Sequence, residues 1–88
     1  MDSHYNVWIK WECPYCQNAL DEMRRQRVSH SVYVMDENPE ELQVLKEQWH
    51  HQTVPLVTTT VNGREVLIGG YDNLKEWFDN DRMSTATN

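Results

Sequence analysis

Several features that mark whole classes of proteins are missing from this sequence. No apolar run approaches the roughly 20 residues that a membrane-spanning helix needs. The first residues show no basic segment followed by a long apolar stretch, so we expect no membrane span, no secretory signal and a cytoplasmic protein. Lys and Arg together number 8 against 14 Asp and Glu, a net charge of -6, which makes nucleic acid an unexpected partner.

The chain also has no internal repeat and no low-complexity linker. Its 88 residues predict one domain over 1–82, with a polar tail at 83–88. Four Trp and four Tyr supply large side chains for one modest core. We expect a monomer.

Cysteine is scarce: the only two, Cys13 and Cys16, lie in the stretch WECPYC. In the cytosol such a pair is more often redox-active or metal-binding than structural. A structural disulfide is further disfavoured because so short a loop constrains little of the unfolded chain. A zinc site would need further ligands from the four histidines, His4, His30, His50 and His51. Their spacings match no usual zinc finger, so a reactive dithiol is favoured and zinc stays an alternative.

The pattern of apolar residues predicts strands at 5–9, 31–36, 54–61 and 64–68, and helices at about 14–27, from Pro39 and after Asp72. The dipeptide Asn62-Gly63 marks a hairpin between the last two strands. The order β-α-β-α-β-β-α predicts an α/β fold: a four-stranded mixed sheet flanked by three helices, whose first two strands are parallel.

Local signals add finer expectations. Asn38, with Glu41 three residues later, is expected to cap the second helix, and Asp72 the third. The predicted buried positions of the helices are Ala19, Leu20 and Met23, then Leu42, Leu45 and Trp49, then Leu74, Trp77 and Phe78.

Cys13 is predicted to sit where the first strand gives way to the first helix. Free backbone N–H groups and the helix dipole favour an anion there, so the pKa of the Cys13 thiol should fall below its usual ~8.5. Lys10 adds positive charge and Glu12 opposes it. Cys16, one turn later, is expected to be more buried and to resolve a mixed disulfide on Cys13. Tyr15 projects from the same turn and could flank a bound thiol.

Two further stretches could complete a site. In QTVPLV, a cis Pro55 would expose the backbone of Val54 for pairing with an extended thiol peptide, whereas a trans Pro55 would only start a strand. In IGGYDN, Gly69-Gly70 allows close backbone approach and Asp72 offers a carboxylate, although a simple strand-to-helix turn gives the same pattern.

Taken together, Cys13-Pro14-Tyr15-Cys16 after Lys10, then Thr53-Val54-Pro55, then Gly69-Gly70-Tyr71-Asp72 resemble a glutaredoxin, within the thioredoxin-like fold. The resemblance covers about residues 5–80. It implies a cis Pro55 that faces the dithiol, and glutathione bound across Lys10, Tyr15, Gln52, Thr53, Val54, Gly70, Tyr71 and Asp72. In that picture Val54 pairs with the cysteinyl part, Lys10 and Gln52 meet the glycine carboxylate, and Asp72 holds the γ-glutamyl end.

The activity that the resemblance implies is glutathione-dependent thiol–disulfide oxidoreduction, with Cys13 as nucleophile and Cys16 as resolving cysteine. The clients would be disulfide-containing or glutathionylated proteins, with ribonucleotide reductase as a plausible one, and no metal is expected. The alternatives are a dithiol donor coupled to a thioredoxin reductase, and an iron–sulfur or zinc-binding module. Pro14 argues against a cluster, because cluster-carrying members typically have Gly or Ser beside the first cysteine.

The sequence departs from the common pattern of the family in two places. Trp11-Glu12 replaces the small hydroxyl residues that usually precede the first cysteine. The stretch HHQTVP lacks the glycine often found after the second helix, so no glutathione contact from that helix is assigned.

Overall fold

The computed structural model describes residues 3–87, with side chains as far as residue 80. In that range the chain forms β1 (His4–Ile9), α1 (Pro14–Gln26), β2 (Ser29–Val34), α2 (Pro39–Trp49), β3 (Leu56–Val61), β4 (Arg64–Gly69) and α3 (Tyr71–Thr87). The predicted order of elements is therefore confirmed.

The strands form one mixed sheet in the order β2-β1-β3-β4. β1 runs parallel to β2, with Val7 opposite Val32, and antiparallel to β3, with Val7 opposite Val57. β3 and β4 form the antiparallel hairpin expected from Asn62-Gly63, where both residues have positive φ, 52° and 78°. Because β1 is central and its last residue is Ile9, the loop that carries the two cysteines leaves from the middle of the sheet.

One face of the sheet carries most of the core. Alternate residues of β1, namely Tyr5, Val7 and Ile9, are buried, as strand geometry requires of a half-covered strand. They belong to one cluster with buried residues of α1 and α3: Cys16, Ala19, Leu20, Met23, Leu74 and Phe78. The buried positions predicted for α1 and α3 are thus confirmed, except that Trp77 is only half-buried and donates its indole N–H to Tyr5 Oη at 3.1 Å.

The second helix differs from its prediction. Asn38 precedes the first residue of α2, but its side chain makes no capping hydrogen bond, so the predicted capping box is wrong. Leu42 is buried, whereas Leu45 and Trp49 are only half-buried. α2 ends at Trp49, and its C-cap residue, His50, has φ 53°, the left-handed conformation in which glycine is most common.

Three boundaries also differ. β2 lies at 29–34 rather than 31–36, because Asp36 leaves the strand to accept the N–H of Trp11 at 3.0 Å. β3 starts at Leu56 rather than residue 54, since Pro55 has no N–H to offer a neighbouring strand. α3 extends to Thr87, so the backbone of 83–87 belongs to a helix and not to the predicted tail. The domain boundary at 82 stays a prediction, and residue 88 lies outside the described range.

Among the described residues, no helix has the length and apolar character to cross a membrane.

Candidate active site

Cys13 occupies the N-cap of α1, in extended conformation at φ -146° and ψ 98°. Its Sγ accepts the backbone N–H of Cys16 at 3.1 Å, and its carbonyl accepts the N–H of Gln17 at 3.1 Å. The first turn of α1 contains no acidic residue, and Arg24 and Arg25 stand in the last turn. The sulfur thus lies where the amides and the dipole of the helix favour negative charge, as the sequence predicted.

The two sulfur atoms are bonded to each other, and the Cα atoms of Cys13 and Cys16 are 5.1 Å apart. Their exposure differs: Cys13 is half-buried, whereas Cys16 is 0% exposed and belongs to the core cluster. The predicted difference in burial is confirmed. A reagent from solvent can therefore reach the disulfide only at Cys13.

The loop before β3 faces this disulfide. The Val54–Pro55 peptide bond is cis, so the trans alternative is wrong. The carbonyl oxygen of Val54 lies 3.8 Å from Cys13 Sγ, and Pro55 is buried. Because Val54 precedes β3, its backbone is placed beside the reactive sulfur rather than inside the paired part of the sheet.

The start of α3 forms the opposite wall. Asn73 Oδ1 accepts the backbone N–H of Gly70 at 3.0 Å, and the Gly70 carbonyl accepts the N–H of Leu74 at 2.9 Å. A Cβ at Gly69, which has φ 122°, would lie 2.6 Å from Asn73 Oδ1, so this turn requires glycine there. Asp72 is exposed within the first turn of α3 and is not the N-cap, which corrects the prediction.

These walls enclose an open groove of about 350 Å³. The predicted site residues that line it are Tyr15, Thr53, Val54, Pro55, Gly70, Tyr71 and Asp72. Lys10 and Gln52 are exposed and are not among the lining residues. The structure therefore brings most of the predicted contacts together in one groove, whose Val54 carbonyl lies beside Cys13.

Two lining residues, His51 and Asn73, were not predicted. The His51 ring lies 3.3 Å from Thr53 Oγ1 through Nε2, and its Cε1 would be 3.9 Å from a Cβ at Gly70. The left-handed turn at His50 carries the chain from α2 into this position, and the His51 N–H bonds to the Lys46 carbonyl at 2.9 Å. The sequence signal for this turn was that a histidine, His50, stands after α2 where glycine is common.

Aromatic rings frame the groove. Tyr15, from α1, and Tyr71, from α3, have ring centroids 6.4 Å apart, and Tyr15 is 62% exposed. Lys75 Nζ lies 5.9 Å from the centroid of the Tyr71 ring, within the range of a cation–π contact. The Tyr71 ring thus has both a second ring and a cation as neighbours. Among the described residues, no group of three or more His, Cys, Asp or Glu side chains is arranged to hold a metal ion.

Comparisons with known proteins agree with this geometry. The family model for glutaredoxin matches residues 7–66, more than half of the chain. A solved structure described as the solution structure of glutaredoxin from Brucella melitensis superposes with a TM-score of 0.67 over 93% of this chain and 85% of that chain, at 18% identity, and so shares the fold. Comparison with curated protein sequences gave no significant match. The chain belongs to the glutaredoxin family, a family of thiol–disulfide oxidoreductases with the thioredoxin-like fold.

Proposed function

We propose that the protein is a glutathione-dependent thiol–disulfide oxidoreductase that reduces protein disulfides and glutathione mixed disulfides. One observation carries the proposal: a half-buried sulfur at a helix N-terminus borders a groove whose wall offers the Val54 carbonyl 3.8 Å away. Such a groove can bind a short extended peptide whose reactive sulfur lies beside Cys13.

The forward reaction starts from the dithiol. The Cys13 thiolate, favoured by the Cys16 N–H and the helix dipole, attacks one sulfur of a client disulfide and expels the other as a thiolate. Cys16 then attacks the Cys13 sulfur, which releases the second client thiol and leaves the Cys13–Cys16 disulfide. Two electrons and two protons pass from the protein to the client.

Glutathione returns the protein to its dithiol state. One glutathione thiolate attacks Cys13, the half-buried member of the pair, and frees Cys16, which is 0% exposed. A second glutathione attacks the glutathione sulfur of this mixed disulfide, which gives glutathione disulfide and the Cys13 thiolate. The burial of Cys16 thus fixes Cys13 as the position at which glutathione enters.

We expect the groove to bind the cysteinyl and γ-glutamyl parts of glutathione. The Val54 backbone would pair with the cysteinyl residue, with Tyr15 and Tyr71 as apolar walls. Asp72, exposed at the start of α3, is placed to receive the ammonium group of the γ-glutamyl end. The contact of Lys10 and Gln52 with the glycine carboxylate stays a prediction, because neither residue lines the groove.

The same proposal includes a cytoplasmic location and ribonucleotide reductase as a client. The choice of client rests on the resemblance of the motifs to the family.

The decisive experiment measures reduction of a mixed disulfide between glutathione and mercaptoethanol, with glutathione, glutathione reductase and NADPH. We expect turnover by the wild-type protein and by Cys16→Ser, since this substrate needs only Cys13. Reduction of a protein disulfide should require both cysteines. Absence of glutathione-dependent turnover, with full turnover by a thioredoxin reductase, would assign the protein to the alternative dithiol donors.

A further inference from the structure

The loop that leads from β1 to the disulfide presents an exposed aromatic residue. Trp11 is 64% exposed, the highest value among the exposed large apolar side chains that the structure describes. Trp11 precedes Cys13 by two residues, and Tyr15, 62% exposed, follows it by two. Neither the core nor the groove uses the Trp11 side chain.

The backbone beneath Trp11 is fixed rather than loose. The Trp11 N–H bonds to Asp36 Oδ1 at 3.0 Å, and the Met35 N–H bonds to the Ile9 carbonyl at 2.9 Å. These two bonds join the loops that leave β1 and β2 at the edge of the sheet where the disulfide lies. The indole is therefore presented from an anchored loop, which lowers the entropy cost of using it in a contact.

Several exposed carboxylates lie in this loop, in the loop after β2 and in the first turn of α2. They are Glu12, Asp36, Glu37, Glu40 and Glu41. Within the described part of the chain, none of them forms a salt bridge. Residues 37–41 also line a shallow cavity of about 280 Å³ next to Asp36. Lys10 is the one basic residue in 10–13 and 36–41, so negative charge prevails here.

We propose that Trp11, Glu12, Asp36 and Glu37, named here the acidic flank, bind an Arg or Lys residue that lies next to the reactive cysteine of a protein client. The inference rests on the proposed function in one respect: the client must exchange its disulfide at Cys13. It adds which clients are preferred, and by which residues.

The chemistry of the flank selects arginine before lysine. A planar guanidinium stacks on an indole and at the same time donates to carboxylates, whereas an ammonium does so only as a point charge. Negative potential beside the sulfur also raises the encounter rate of cationic clients. Glutathione carries two carboxylates and one ammonium, so its net charge is negative and a surface of several carboxylates does not attract it. The groove and the acidic flank are therefore separate sets of residues, one for each of two substrates that react at the same sulfur.

The test uses two peptides with the same internal disulfide, flanked in one by Arg and in the other by Glu. The pre-reduced Cys16→Ser variant is mixed with each peptide, and the mixed disulfide on Cys13 is quantified by mass spectrometry over time. In this step Cys13 bonds to one peptide sulfur and the other leaves as a thiolate, so no glutathione is needed. We expect the Arg peptide to react about tenfold faster at low salt.

Variants of the flank identify the residues responsible. Trp11→Ala and Glu12→Gln should each reduce the ratio of the two rates by about two- to fivefold, and high salt should reduce it further. Val44→Ala is the matched control, because Val44 is also exposed, at 61%, but lies on α2 and not in the acidic flank. Wild-type protein, reduced beforehand and followed by loss of the peptide disulfide, gives the same ratio without the Cys16 substitution.

Equal rates for the two peptides, or a ratio that both flank variants leave unchanged, would overturn the inference while glutathione-dependent turnover persists. An Arg preference without glutathione-dependent turnover would support the inference and refute the proposed function. No exchange with either peptide would refute both.

Discussion

The helices α1 and α3 both begin at the groove, but their first turns are completed in different ways. In α1 the Cys13 sulfur accepts a backbone N–H, and the first turn has no acidic residue. In α3 the amide of Asn73 accepts the N–H of Gly70, and Asp72 adds a carboxylate to the first turn.

The two helix ends therefore differ in the charged group that their own residues supply. The N-terminus of α1 keeps its partial positive charge for the anion of a cysteine. The N-terminus of α3 brings its own carboxylate, which suits a cationic group of a ligand. A ligand with a thiol at one end and an ammonium at the other can therefore lie between them in one orientation.

The largest effect on turnover is expected when the thiolate at the N-terminus of α1 is removed. Cys13→Ser should reduce glutathione-dependent turnover to the uncatalysed background, at least about a thousandfold, because a serine hydroxyl does not ionise near neutral pH. The melting temperature should change little relative to the reduced wild-type protein, since Cys13 is only half-buried. Turnover within tenfold of wild type would contradict the role of Cys13.

Removing the carboxylate charge from the first turn of α3 should have a smaller effect on the kinetics. Asp72→Asn is expected to raise the KM for a glutathione mixed disulfide about five- to tenfold, the loss of one charge-assisted hydrogen bond, with kcat little changed. Steady-state kinetics check this split. Asp79→Asn, an exposed carboxylate two turns further along α3, is the control and should leave KM unchanged.

Giving α1 the acidic first turn of α3 sharpens the comparison. Gln17 is exposed, and Gln17→Glu should raise the pKa of the Cys13 thiol by an interaction of about 0.3–1 kcal/mol. The thiolate exists above the pKa, so the onset of reactivity should move to higher pH. Ultraviolet absorbance of the thiolate during a pH titration measures this, and Gln17→Lys should move the pKa the other way. Equal titration of both variants would show that the helix end does not control the sulfur.

The smallest effect is expected for a substitution that changes only the stability of the N-terminus of α3. Asn73→Ala removes the acceptor of the Gly70 N–H and should lower the free energy of unfolding by about 0.5–1 kcal/mol relative to Asn80→Ala. Asn80→Ala is the control because it makes the same change in helix propensity at an exposed position of α3. Urea denaturation measures both, and equal values would mean that the Asn73 contact adds nothing.

The sequence predicted α1 better than α3 for a physical reason. A cysteine, a proline and a buried pattern at Ala19 and Met23 all place the start of α1 within a residue. At α3, Asp72 is a better N-cap by residue type than Gly70, so the sequence alone favours it. The contact that decides the start is the Asn73 side chain reaching back to Gly70, which depends on Gly69 adopting φ 122°.

The residues of the site were also predicted well where local geometry determines their positions and less well elsewhere. Residues of the local motifs, such as Tyr15, Val54 and Tyr71, do line the groove, because their positions depend on short-range geometry. His51 was missed because its place in the groove depends on how the end of α2 turns toward β3. Lys10 was assigned to the ligand from motif spacing, which does not show whether a long exposed side chain reaches the groove.

The complete burial of Cys16 also has a consequence for the order of events. The helix N-terminus favours the thiolate of Cys13, and burial adds a second reason why a client does not start at Cys16. Because Cys16 packs among Ala19, Leu20 and their neighbours, a client can begin the exchange only at Cys13. The protein can hold one partner at a time, and the sequence of bond exchanges is set by the shape of the core as much as by sulfur chemistry.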